Sequence, residues 1–176
     1  VAKNTEDGIE VKVHPMLIPN NHPLANVNDA FNAVFVHGKA MDDAMFMGRG
    51  AGQMPTASAV VGDIIDVCRN IVHDSCGRIG CCCYKNLEVK DITDTKSKFF
   101  LRLEVADKQG VLANIASVLG NSGVSIAQVV QKSGKDGVAE LVIITAEVLE
   151  KNFNDAMAVF KGLSAVKNIA GVIRVY

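Results

Sequence analysis

Between Phe99 and Val105 the chain leaves little freedom. Phe99, Leu101, Leu103 and Val105 fall on one side of an extended backbone, Arg102 and Glu104 on the other, the period of two that marks a strand with one buried face. Gly110 then introduces Val111, Leu112, Ile115, Ala116 and Leu119, spaced as one face of a helix that Gly120-Asn121-Ser122-Gly123 would stop. Strands are predicted from about Val124 to Lys132 and from Val138 to Thr145, joined through Ser133-Gly134-Lys135-Asp136-Gly137, a composition suited to a hairpin connection. Leu149, Phe153, Met157, Phe160 and Leu163 supply a second helical stripe, and Ile169 to Tyr176 closes as a strand. The order βαββαβ predicts a ferredoxin-like split βαβ unit, in which right-handed crossovers place both helices on one face of a four-stranded sheet. Its open face and edges need cover, because exposed edges invite pairing. A second copy is the simplest cover, so a homodimer through this region is expected.

The preceding part reads differently. Ile9, Val11 and Val13 alternate with Glu10, Lys12 and His14, which predicts a half-buried strand ended by Pro15. Further strands are expected at Ala33–Val36 and Ala44–Met47, giving a short antiparallel meander. Pro55 suits a first helical turn, and Val60, Val61, Ile64, Ile65 and Cys68 form an amphipathic stripe running to about Asn70. Periodicity fades from Ile71 to Lys98. The expected organisation is therefore α+β: residues 1–70 as a meander plus helix, 71–98 as a linker, and 99–176 as the βαββαβ domain.

Several function classes are excluded by composition. Lys and Arg number 18 against 19 Asp and Glu, with 5% aromatics, so neither phosphate neutralisation nor base stacking has a platform and nucleic acid is not an expected ligand. No apolar run is long enough to span a bilayer, and the N-terminus lacks a signal-peptide pattern, which predicts a cytoplasmic protein with no membrane partner. All 5 cysteines, Cys68, Cys76, Cys81, Cys82 and Cys83, crowd one short window rather than spreading as a disulfide framework would. Adjacent sulfurs do not easily converge on one tetrahedral metal, so reduced thiols are the simpler reading and no metal site is expected. A thiol-based metal or redox sensor at Cys76–Cys83 is the rival. His14, His22, His37 and His73 have no metal-like spacing and read as surface groups.

Gly48, Gly50 and Gly52 open the long helix as G-x-G-x-G, whereas a dinucleotide fingerprint needs G-x-G-x-x-G after the first strand of a βαβ unit. The stretch therefore reads as a glycine-rich entry into a close-packed helix, and it builds no nucleotide domain by itself. No residue reads as a catalytic base in a formed substrate site.

The segments "VHPMLIPNNHPLANVNDAFNAVFVHG" and "MFMGRGAGQMPTASAVVGDIIDVCRN" closely resemble the end of the catalytic region of homoserine dehydrogenases, over roughly Gly8 to Asn70. The resemblance implies NAD(P)-dependent interconversion of L-homoserine and L-aspartate 4-semialdehyde in threonine, methionine and isoleucine biosynthesis. It also implies that the Rossmann domain and the catalytic residues lie upstream of Val1, and that Gly52 is the position whose backbone approaches NADP or NAD. The chain by itself is then expected to bind no cofactor and to be catalytically inert.

"FFLRLEVADKQGVLANIASVLGNSGVSIAQVVQK" resembles the ACT domain, a regulatory amino-acid-binding module, over Phe99 to Tyr176. The signature reads Asp107-Lys108-Gln109-Gly110-Val111-Leu112 here, with Gln109 where proline is usual. Backbone N–H groups opening the first helix could receive an effector's carboxylate and Asp107 its ammonium group. By resemblance Gln109, Gly110, Val111 and Leu112 line the site, and Ser125 and Ile126 complete it across a dimer interface. Ser125 stands where many members have Asn, and its single hydroxyl offers less than an amide. Threonine, the end product that commonly restrains homoserine dehydrogenases, is the implied effector. A stand-alone amino-acid-sensing or dimerisation module with no enzymatic parent is the alternative.

Overall fold

A computed structural model describes residues 1–77, 86–132, 134 and 136–176. The cysteine run Cys81–Cys83, and Ser133 and Lys135 of the expected hairpin connection, lie outside these residues. In chain order the elements are β1 (Ala2–Thr5), β2 (Gly8–Val11), β3 (Met16–Leu17), β4 (Phe31–Gly38), β5 (Asp42–Arg49), α1 (Gln53–Val72), β6 (Lys96–Ala106), α2 (Val111–Asn121), β7 (Ile126–Lys132), β8 (Val138–Thr145), β9 (Val148–Leu149), α3 (Glu150–Gly162) and β10 (Val166–Val175). They form two compact units, one of Val1–Leu17 with Leu87–Tyr176, the other of Ile18–Asn86.

The first unit contains the expected βαββαβ core. Its sheet runs β3-β10-β6-β8-β7, with the β10–β6, β6–β8 and β8–β7 pairs antiparallel. The alternation read from the sequence is realised residue by residue: Phe99, Leu101, Leu103 and Val105 of β6, with Leu141 and Ile143 of β8, are buried. They meet Ile115 and Leu119 of α2 and Phe153, Ala156 and Phe160 of α3 in one core. The Phe99 and Phe153 rings stack with centroids 3.7 Å apart. Each such large side chain contributes on the order of 1.5–3 kcal/mol by leaving water, so these few residues dominate what holds the two helices on the sheet.

Two features of this unit were not expected. β3 adds a parallel strand to the outer edge of β10, pairing Met16 with Arg174 and Leu17 with Val175. The polar-looking N-terminus forms β1, paired antiparallel with β2. The alternation around residues 9–13 is also inverted in the fold. Glu10 and Lys12 are buried, whereas Val13 is 99% exposed and Val11 54% exposed. Period two set the strand geometry here, but ion pairing rather than hydrophobicity decided which side turned inward.

In the second unit β4 and β5 form a continuous antiparallel hairpin from Phe31↔Arg49 to Gly38↔Asp42. The antiparallel strands expected before residue 70 are thus two hairpins rather than one meander. α1 follows, and none of its residues is buried. Its stripe of Val60, Val61, Ile64 and Ile65 faces solvent, with Met54 75% exposed.

Candidate functional site

Where β6 gives way to α2, the chain makes a tight loop. The Lys108 amide bonds back to the Ala106 carbonyl at 2.9 Å, and the Asp107 amide reaches the Gly137 carbonyl at 2.9 Å. Gly110 then takes φ 82° and ψ −8°, a left-handed conformation that costs side-chain-bearing residues energy and glycine little. It sits as the cap of α2, and no side chain caps that helix. Asp107 therefore does not serve as the N-cap, and the opening amides of α2 keep their partial positive charge toward the loop.

That loop walls a cavity of about 310 Å³. It is lined by Asp107, Gln109, Gly110, Val111 and Leu112 together with Gln131 and Leu141. Five positions singled out in the sequence thus come together around one space. Gln131 was missed, because an outward-facing Gln near the end of a strand carries no signal of its own. Ser125 and Ile126 stand elsewhere. Ile126 opens β7 and Ser125 immediately precedes it, about 17 and 20 Å from Gln131 by the rise of an extended strand, with the Ser125 carbonyl accepting from Ala146 at 2.8 Å and Ile126 opposite Thr145. β7 ends the sheet order, and every residue after Ile126 in it is exposed.

The glycine-rich entry to α1 has a different geometry. Gly52 caps the helix with φ 127°, and a Cβ there would meet Pro55 Cδ at 3.2 Å. Gly50 donates its amide to Ala30 at 3.1 Å, and a Cβ on it would run into the Asn32 side chain. Both glycines let backbone pass close to neighbouring atoms. The strand before this turn belongs to an antiparallel hairpin, so these residues do not form the βαβ crossover a dinucleotide site requires.

A second polar cluster was hidden in the sequence. Arg174 on β10 donates Nε and Nη2 to Glu150 at 2.6 and 2.7 Å, and Ser97 donates its hydroxyl to Glu150 at 2.8 Å. Lys12 Nζ donates to the Lys96 carbonyl at 3.1 Å and to Ser97 Oγ at 3.0 Å, and lies 3.8 Å from both Glu10 and Glu150. Burial pushes the Lys12 amine below its ordinary value, opposed by the Glu10 and Glu150 carboxylates. Burial pushes Glu150 upward, but the hydrogen bonds from Arg174 and Ser97 and the nearby positive charges outweigh it and hold the carboxyl low. The five side chains are spread from position 10 to 174, and no local spacing connects them.

Among the described residues, no group of three or more His, Cys, Asp or Glu is placed to hold a metal ion, and no helix is long and apolar enough to cross a membrane. Cys68 and Cys76 are exposed.

Comparison with known proteins divides the chain in the same two parts as its motifs. Residues 1–65 match the homoserine dehydrogenase family model, and residues 93–174 match an ACT domain model. Homoserine dehydrogenase of Corynebacterium glutamicum is 40% identical over 98% of this chain and 38% of its own length. That of Pseudomonas aeruginosa is 37% identical over 99% of this chain and 42% of its own. The crystal structure of a homoserine dehydrogenase from Thiobacillus denitrificans aligns with 99% of this chain and 41% of its own at 37% identity, with a TM-score of 0.87. The chain therefore spans about two fifths of the length of these relatives.

Proposed function

Because this chain belongs to the homoserine dehydrogenases as their C-terminal part, ending in an ACT domain, we propose that it is the regulatory end of an NAD(P)-dependent oxidoreductase. The reaction is the interconversion of L-homoserine and L-aspartate 4-semialdehyde, in the cytoplasmic synthesis of threonine, methionine and isoleucine. The effector is threonine, bound in the cavity at the start of α2, and its binding inhibits the enzyme.

The gathering of Asp107, Gln109, Gly110, Val111 and Leu112 around one cavity at an uncapped helix start carries this reading. A carboxylate suits the start of α2, where the Val111 amide turns back to the Lys108 carbonyl at 3.4 Å and the next two N–H donors, of Leu112 and Ala113, meet the positive end of the helix dipole. Asp107 supplies the complementary charge for an ammonium group, and the hydroxyl of threonine falls within the chemistry of Gln109 or Gln131.

The exposed edge of β7 supports a homodimer. Antiparallel pairing of two β7 edges about a two-fold axis sets the Ile126 end of one strand against the Lys132 end of the other. Ser125 and Ile126 of a second copy would then lie beside Gln131 and close the cavity. This arrangement unites the two groups of site residues that stand apart within one chain.

Gly52 approaches the nicotinamide cofactor by its backbone, in a site that other residues of the enzyme must build. The family's cofactor supplies hydride transfer when bound. This chain's contribution is a helix start capped by a glycine and by no side chain, and the chain alone has neither turnover nor cofactor affinity of its own.

Isothermal calorimetry of threonine with this chain tests the reading. Saturable binding is expected, weakened about tenfold or more by Asp107→Ala through loss of a charge-assisted contact. A folded chain that shows no heat and no thermal shift at millimolar threonine contradicts it.

A further inference from the structure

We infer that the Lys12–Glu150–Arg174 cluster is a coupling joint through which occupation of the cavity at the start of α2 reaches the segment from Ile9 to Leu17. The inference rests on the effector reading above and adds its route.

Two strands join the cavity to the cluster. β6 ends at the cavity, where Val105 and Ala106 line the wall, and begins at the cluster, where the Lys96 carbonyl and Ser97 hydroxyl hold Lys12. Its eleven residues span about 33 Å as extended chain. β10 runs alongside, pairing Val166 with Val105 at the cavity end and Arg174 with Phe99 at the cluster end. At that end β10 also carries β3, through Arg174↔Met16 and Val175↔Leu17. The Ile9–Leu17 segment is therefore attached to the effector-binding sheet at two neighbouring points, the ionic cluster and the parallel pairing.

The cluster has the chemistry of a two-position element. Lys12 and Glu150 have side chains 5% and 3% exposed, so a partial opening would strand a buried charge. Such a network is either complete or opened to water, with little stable ground between. Room for water is present, because a cavity of about 210 Å³ lined by Lys12, Ser97 and Arg174 adjoins the cluster. An effector that favours one arrangement of β6 and β10 will bias which position the cluster holds.

Hydrogen exchange with mass spectrometry, on the chain with and without saturating threonine, tests the joint, with calorimetry on the same samples. Threonine is expected to slow exchange across residues 9–17 by about threefold or more. In Lys12→Met that protection is expected to vanish while threonine still binds within about threefold of the wild-type affinity. Binding without any change at residues 9–17 in the wild type overturns the inference, and so does equal protection in the wild type and Lys12→Met. Should Lys12→Met fail to fold, the wild-type comparison decides alone. A wild-type chain that binds no threonine by calorimetry removes the effector reading and the joint with it, a failure distinct from binding without protection.

Discussion

Arg174 grips Glu150 through two nitrogens, Nε at 2.6 Å and Nη2 at 2.7 Å, with the Glu150 side chain only 3% exposed. This forked contact ties β10 to the first turn of α3, and removing one partner leaves a buried carboxylate short of its main counter-charge. Arg174→Met is expected to destabilise the chain by about 3 kcal/mol, read as the shift in urea midpoint at constant slope. A loss below about 1 kcal/mol would place the pair among contacts of negligible worth.

The same carboxylate sets a pH dependence. Glu150 is held below its ordinary value of 4.5 in the fold, so between the two values the unfolded chain binds more protons. Its contribution is complete above about pH 4.5 and is lost as pH falls through the lowered folded-state value. Lys12 is lowered from 10.5, so it too makes stability rise with pH, within the alkaline window below 10.5. Denaturation midpoints measured across a pH series should fall on acidification below about pH 4.5, and Glu150→Gln should flatten that fall. An unchanged acid limb in the variant would assign the pH dependence to other groups.

Phe153 packs its ring flat against Phe99 and is 2% exposed. Phe153→Ala should cost about 3–5 kcal/mol through lost burial and the cavity left behind, whereas Val159→Ala on the same helix, at 49% exposure, should stay within about 0.5 kcal/mol. Thermal unfolding of both variants distinguishes them, and similar losses at the two sites would contradict the core assignment.

Gly110 separates conformational strain from steric conflict. Its φ of 82° disfavours any side chain, yet a Cβ placed there meets no atom within 4 Å. Gly110→Ala should therefore fold with a stability loss of about 1 kcal/mol and weaken threonine binding by altering the start of α2. Binding equal to wild type would show that the helix start plays no part in the site.

The C-terminal fold was legible because local pattern and global packing agree there. The alternation from Phe99 to Val105 and the stripes of α2 and α3 all point to one core, and the cavity loop follows from the glycine that starts α2. The N-terminal part was less legible for two physical reasons. At Glu10 and Lys12 the buried face is polar, stabilised by partners at positions 90, 97 and 150 that no short window contains. In α1 the apolar stripe correctly predicted a helix but not its surroundings, since Met54, Ile64 and Ile65 face solvent. Of the proposed site, Asp107 and Gly110 stood out through the resemblance to the ACT signature, with helix-start chemistry in support. Gln131 was not, because it reaches the cavity only through the pairing of β7 with β8.

Assignment of backbone amide resonances followed by threonine titration locates the effector site residue by residue. The largest shifts are expected on Asp107 and Gln109 to Leu112, with Ser125 and Ile126 moving at the same ligand concentrations although they lie at the far end of β7 within one chain. Shifts concentrated away from residues 107–112, or an unmoved Ser125 and Ile126 while the α2 loop saturates, would contradict an effector site shared between two copies.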